Sequence, residues 1–208
     1  MLATAGDEDI LKEAYKRFMA FNADPEGAAI PGDLQYVVFR CALTYDEDAV
    51  FEALKIIYER QSTFPEEQRN CLNVMGCVEN PKRHASMLEY IFFSGKVRLQ
   101  DFSFPLNSLS GTSDAGGRAT WQYLKDNHQK LHGKLESGPM WGPCVGLSSR
   151  GLTTLEEADE VERYFESAGT IGSAKRRLTQ GLEVVRTRAQ RRERDRGDIE
   201  QYLDSRTE

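Results

Sequence analysis

The feature that most limits the fold of this chain is a helical spacing of apolar residues that never gives way to alternation. "DEDILKEAYKRFMAF" places Ile10, Leu11, Ala14, Tyr15, Phe18 and Met19 on a rhythm of about 3.6 residues. "ADPEGAAIPGD" breaks it with Pro, Gly and Asp. "LQYVVFRCALTY" and "DEDAVFEALKIIYERQ" follow as a pair, with a tight junction near Tyr45–Asp46. The next pair, "EEQRNCLNVMGCV" and "NPKRHASMLEYIFFSG", opens where Thr63 can cap, Pro65 suits a first turn, and Glu66 and Glu67 favour the positive helix end. Asn80-Pro81 and Ser94-Gly95 punctuate its second member.

Further helices are expected around "LQDFSFPLNSLSG", "GGRATWQYLKDNHQKLHGKL" and "TTLEEADEVERYFESAG". "ESGPMWGPCVGLSSRG" reads as a Gly/Pro-interrupted segment. "IGSAKRRLTQGLEVVRTRAQRRERD" and "GDIEQYLDSR" read as two closing helices. Successive pairs start near Pro31, Pro65, Val97, Pro139 and Ile171, roughly 32 to 42 residues apart. That spacing predicts an all-α chain, a HEAT-like solenoid of paired helices (an α-α superhelix). The expected layout is a disordered start over 1–6, one helical-repeat domain over 7–203, and a disordered tail over 204–208.

Charge and cysteine usage narrow the function classes. The 208 residues carry a net charge of -6, which opposes bulk binding to nucleic acid or to an anionic membrane. Ser173 to Arg196 is the exception, with nine Lys/Arg against three acids, a local +6. Arg191 with Asp195, and Arg194 with Asp198, stand at the i,i+4 spacing that pairs charges on a helix, so a partly self-paired helix is expected there. Cys41, Cys71, Cys77 and Cys144 show no zinc-type spacing and read as buried thiols. There is no glycosylation sequon, the start lacks the pattern of a signal peptide, and no apolar run reaches the ~18 residues of a membrane span. A cytoplasmic protein without a membrane partner is expected.

Two short motifs invite a chemical reading. In "LKDNHQKLHGKL", His128 and His132 have the spacing of H-E-x-x-H, but the position of the general base holds Gln129 and no third ligand is near. The pair therefore reads as polar positions on an amphipathic helix. "GTSDAGGR" has the gap of a phosphate-binding loop but ends in Gly117 and Arg118; it reads as a loop with Ser113 or Asp114 near the following cap. No G-x-S-x-G elbow occurs. The polar groups that stand near helix starts are Arg40, Arg98, Gln100 and Asp101, which makes them candidates for capping or for contact with a peptide.

"AAIPGDLQYVVFRCAL", "GCVENPKRHASMLEYIFFSGKVRLQDFSFPLNSLSG", "WQYLKDNHQKLHGKL", "LEEADEVERYFES" and "RDRGDIEQYL" occur in an order that resembles the C-terminal helical domain of gluzincin zinc aminopeptidases. The likeness is greatest to the puromycin-sensitive type and its cytosolic fungal relatives, and it covers roughly Asp7 to Leu203. The resemblance implies a helical domain that arches over a catalytic domain and helps to enclose a cavity for peptides. It also implies zinc in the full-length enzymes, held by H-E-x-x-H and a later Glu, with a G-x-M-x-N motif for the substrate's amino terminus. None of these motifs is in this sequence, so no catalytic residue, metal ligand or cofactor is expected in the chain itself.

The expected partners are then the catalytic domain of the parent enzyme and its peptide substrates. A free-standing HEAT-like interaction module is the alternative. The resemblance further implies helices before Asp7, so Ile10, Leu11, Phe18 and Val37 are expected to face outward. His128 and Arg191 stand where relatives place Trp, which predicts looser packing in the last repeats.

Overall fold

The structure, a computed structural model, describes residues 6–60 and 63–206. The expected disorder at 1–5 and at 207–208 lies outside the described residues. Every regular element among the described residues is helical, and the chain divides into two compact units at Thr112/Ser113.

The first unit holds α1 (Glu8–Ala23), α2 (Gly32–Tyr45), α3 (Glu47–Glu59), α4 (Pro65–Met75), α5 (Pro81–Phe93), a 3-10 turn (Leu99–Asp101) and α6 (Ser103–Thr112). Helices touch partners close in sequence: α1 with α2, α2 with α3 and α4, α3 with α4, and α4 and α5 with α6. Asp46 ends α2 and starts α3, its carboxylate accepting from the Ala49 N–H at 3.0 Å. Pro65 opens α4 with Glu66 and Glu67 in the first turn, but Thr63 is not the cap: its hydroxyl donates to the Ile57 carbonyl at 2.6 Å.

The outward face expected of α1 is half corrected. Leu11 and Phe18 are buried, because α1 turns its 11-14-18-21 stripe onto α2. Leu11 and Ala14 meet Cys41, and Phe18 packs edge-on to Phe39 with ring centres 5.1 Å apart. Ile10 is half-buried, whereas Val37 is 51% exposed beside exposed Leu34. Burying a Phe side chain contributes about 1.5–3 kcal/mol, so the pair settles its own stripe first and leaves only the far edge of α2 open.

The second unit holds α7 (Asp114–Asp126), α8 (His128–Leu135), α9 (Trp141–Ser149), α10 (Leu155–Ala168), a 3-10 turn (Gly172–Ala174) and α11 (Lys175–Asp204). Three expectations change here. The helix expected through "GGRATWQYLKDNHQKLHGKL" breaks at Asn127, whose amide caps α7 through the Tyr123 carbonyl. The two closing helices are one, running through Gly197. The Gly/Pro-interrupted segment contains α9, and its glycines are what let it pack. A Cβ at Gly146 would press on the Arg177 backbone, and one at Gly181 on Ser149 and Gly146. Small residues on both sides bring α9 and α11 into close contact.

The loose packing expected of the last repeats is absent up to Ala189. Trp141, Val145, Phe165, Leu182 and Val185 are fully buried, and the Trp141 indole donates to the Thr170 carbonyl at 3.0 Å. Beyond Ala189, α11 runs on with its side chains largely exposed.

Candidate functional site: a basic cleft at the end of α3

A cleft of about 330 Å³ in the first unit is lined by Tyr58, Glu59, Arg60, Gln68, Lys96 and Arg98. Local capping builds it. Helix α3 must stop where Arg60 turns extended, so its last carbonyls need donors. Thr63 serves the Ile57 carbonyl, and the Gln68 amide donates to the Tyr58 carbonyl at 3.3 Å. Those contacts fold the chain back and set α4 beside the end of α3. From the other side, Gly95, left-handed at φ 74, turns the chain out of α5 and delivers Lys96 and Arg98.

Three cations and one carboxylate line the cleft, and their partners differ. Lys96 pairs with Glu59 at 3.0 Å, and Tyr90 donates to the same carboxylate at 3.0 Å. The hydrogen bond from Lys96 holds the Glu59 carboxyl below its ordinary range. Burial, reinforced by the bond to Glu59, pushes the Tyr90 phenol up. Arg98 pairs with Asp101 at 2.6 Å. Arg60 differs, since its guanidinium donates to the Asn22 carbonyl at 2.6 Å and to the Asn22 side chain at 2.8 Å, both neutral groups. Arg60 forms no ion pair among the described residues, although its charge acts on the Glu67 carboxyl, and a positioned guanidinium of this kind suits a carboxylate.

Of the four residues singled out from sequence, Arg98 lines the cleft. Asp101, 8% exposed, lies under it as the partner of Arg98. Gln100 is exposed on the 3-10 turn. Arg40 lies elsewhere: it braces the chain after α4, donating to the Cys77 carbonyl at 2.8 Å and pairing with Glu79 at 3.2 Å. Arg60 and Lys96 were not legible as site residues. Each is an ordinary surface cation in sequence, and only the packing of α4 beside the end of α3 and the turn at Gly95 bring them together.

The histidine pair opens α8. The His128 ring nitrogens meet the Tyr164 hydroxyl and the Thr170 hydroxyl, each at 2.8 Å. The ring stacks among Trp141, Tyr164 and Phe165, and burial, then the charge of His132, lowers its pKa. His132 faces Glu136 at 3.4 Å. Among the described residues no three or more His, Cys, Asp or Glu side chains converge as a metal site. The zinc that the resemblance implies for the full-length enzymes has no ligand set among these described residues. Ser113 caps α7 through the Gly116 N–H at 3.0 Å, and the glycine-rich stretch around it is helical on both sides rather than a loop.

Sequential helix pairs, capped locally and carrying a basic cleft, define an all-α helical-pair domain. The chain belongs to the family described as the ERAP1-like C-terminal domain, whose model matches residues 1–187. It is similar to Aminopeptidase 2, mitochondrial, of Saccharomyces cerevisiae, at 28% identity over 96% of this chain and 20% of that protein. It is also similar to Aminopeptidase M1 of Arabidopsis thaliana, at 28% identity over 90% of the chain and 21% of that protein. Puromycin-sensitive aminopeptidase of Caenorhabditis elegans matches at 23% identity over 97% of the chain and 22% of its own length. The chain thus spans about a fifth of the length of these relatives.

Proposed function

We propose that this chain acts as the C-terminal part of a zinc aminopeptidase, forming a wall of the substrate cavity and gating access of peptides to a catalytic domain outside these 208 residues. The observation that carries the reading is the family match over 1–187, together with relatives named as aminopeptidases that align with nearly the whole chain. In this role the chain makes no bond and breaks none. It binds and orients. Arg60, with Lys96 and Arg98 beside it, takes the C-terminal carboxylate of a peptide, and Asp101 holds Arg98 in place. A bidentate Arg–carboxylate contact fixes direction as well as position, which suits an enzyme that must be fed amino terminus first. A cytoplasmic location belongs to the same proposal; no described helix is long and apolar enough to cross a membrane.

The test uses an aminoacyl-nitroanilide and a short peptide as substrates. The 208-residue chain alone is expected to turn over neither, with or without added zinc. Joined to the catalytic portion of its parent enzyme, it is expected to support peptide cleavage that Arg60→Gln weakens through KM while leaving the nitroanilide rate unchanged. Chelator-sensitive turnover by the pure chain would overturn the proposal. Failure to bind the catalytic portion would instead favour the free-standing interaction module.

A further inference from the structure

Helix α11 carries a stripe that its own unit leaves largely exposed, with only Arg188 and Asp195 half-buried. At about 100° per residue, Val184, Arg188, Arg191, Asp195, Asp198 and Tyr202 fall within about 40° of one line along the helix. The core-facing positions of the same helix, Leu178, Gly181, Leu182, Val185 and Ala189, centre to one side of that line. Val184 and Tyr202, 46% and 55% exposed, end a stripe about 27 Å long. The stripe forms one rim of a groove of about 1220 Å³, whose other rim is the start of α10 at Thr154, Leu155 and Glu156.

The order along the stripe is apolar, two cations, two anions, apolar. It is antisymmetric about Glu193. Reversing the helix about that residue lays Val184 on Tyr202, Arg188 on Asp198 and Arg191 on Asp195, with Thr187 on Ile199 at the edge. Each cation meets an acid, and each apolar end meets an apolar end. A parallel partner in register would set Arg on Arg and Asp on Asp. A plain apolar helix would leave four charges without partners on its surface, at high cost. Nucleic acid would be repelled by the two acids. A second copy of the same helix, antiparallel, is the occupant that satisfies the whole stripe, and a self-complementary patch is what a two-fold interface requires.

The charges are available for this. Arg191 and Asp198 form no ion pair among the described residues. Arg188 donates to the carbonyls of Arg150 and Leu152 at 3.4 and 3.3 Å, through one nitrogen, and keeps further donors. Asp195 accepts from Arg194 of its own helix at both carboxylate oxygens, 2.6 and 3.1 Å, and each oxygen keeps a further lone pair for a second arginine. The i,i+4 pairs expected from sequence do not form: Arg194 turns to Asp195 rather than to Asp198.

We propose that the chain associates with a second copy through an antiparallel pairing of α11, with the two-fold axis at Glu193. The interface stands independently of the aminopeptidase reading. Sedimentation velocity of the full 208-residue chain across the micromolar range tests it. The natural chain is expected to dimerise, and more weakly in high salt. Arg191→Asp alone and Asp195→Arg alone, both at positions outside the core, should each weaken the dimer by about tenfold or more, by setting like charges across the axis. The double variant should recover it, with the helical signal unchanged throughout. Tyr202→Ser should weaken it without any change of charge. A natural chain that stays monomeric, single variants that dimerise normally, or a double variant that does not recover would each overturn the proposal.

Discussion

His128 shows how one side chain ties a helix start to a helix end. Its two ring nitrogens join the first residue of α8 to Tyr164 near the end of α10 and to Thr170 beyond it. Burial disfavours the imidazolium, and His132, 6.0 Å away ring to ring, adds a second cost whenever it is charged. The folded ring therefore holds a proton less readily than the ordinary value of 6.5 implies. A depressed histidine contributes stability that is complete above 6.5 and is lost as the pH falls through the folded value. The carboxyls of Asp114, held down chiefly by Arg192, and of Glu160, held down chiefly by Lys125, extend the same trend to lower pH. The melting temperature of the second unit is expected to drop between pH 7.5 and pH 5.5, and His128→Gln should flatten that slope. An equal slope in the variant would remove His128 as the cause. This packing was not legible in "LKDNHQKLHGKL", because Tyr164 and Thr170 lie some forty residues away.

At the scale of elements, the joints are made by caps and by missing side chains. Thr154 and Glu157 form a capping box: the Thr hydroxyl accepts from the Glu157 N–H at 3.1 Å, and the Glu157 carboxylate accepts from the Thr154 N–H at 3.0 Å. Arg118 of α7 adds a 2.6 Å bond to the same carboxylate. Thr154→Ala is expected to cost about 1 kcal/mol, read as a lower urea midpoint with unchanged slope. Gly117 makes the closest approach in the unit, since a Cβ there would strike the Gly151 carbonyl. Backbone cannot step aside cheaply, so Gly117→Ala should cost about 1–3 kcal/mol. Gly133, on α8, has open space around it, and Gly133→Ala should stabilise by about 0.5–1 kcal/mol. The same urea titration separates the two; equal effects would mean that helix propensity alone, not contact, governs both sites. In sequence Gly142 and Gly146 look like breakers, which is why α9 was read as an interrupted segment.

For the whole molecule, the distribution of charge matters more than its total. Four of the eight arginines of α11 pair with acids: Arg186 with Glu162 and Asp159, Arg192 with Asp114, Arg194 with Asp195, and Arg196 with Glu200. Exposed pairs of this kind add little stability, but the four partner acids outside the segment, Asp114, Asp159, Glu162 and Glu200, offset most of the local +6. Single-stranded RNA is accordingly expected to migrate unchanged in the presence of the chain at low salt. A shift that fades steeply with added salt would show a basic face that these pairs do not neutralise.

What the sequence determined by itself was the class of fold and most helices. Apolar spacing near 3.6, Pro65 and Pro81 at first turns and Asp46 at a junction act within a few residues, so they can be read without the fold. The order of five motifs was enough to place the chain in its family. Tertiary structure alone decided which apolar stripes were already satisfied, as with Leu11 and Phe18, and which cations met in one cleft, as with Arg60 and Lys96. It also decided that Gly142 and Gly146 join helices rather than end them. Each of these depends on a partner from a different helix. Periodicity fixes the direction of a side chain on its own helix but not what stands opposite.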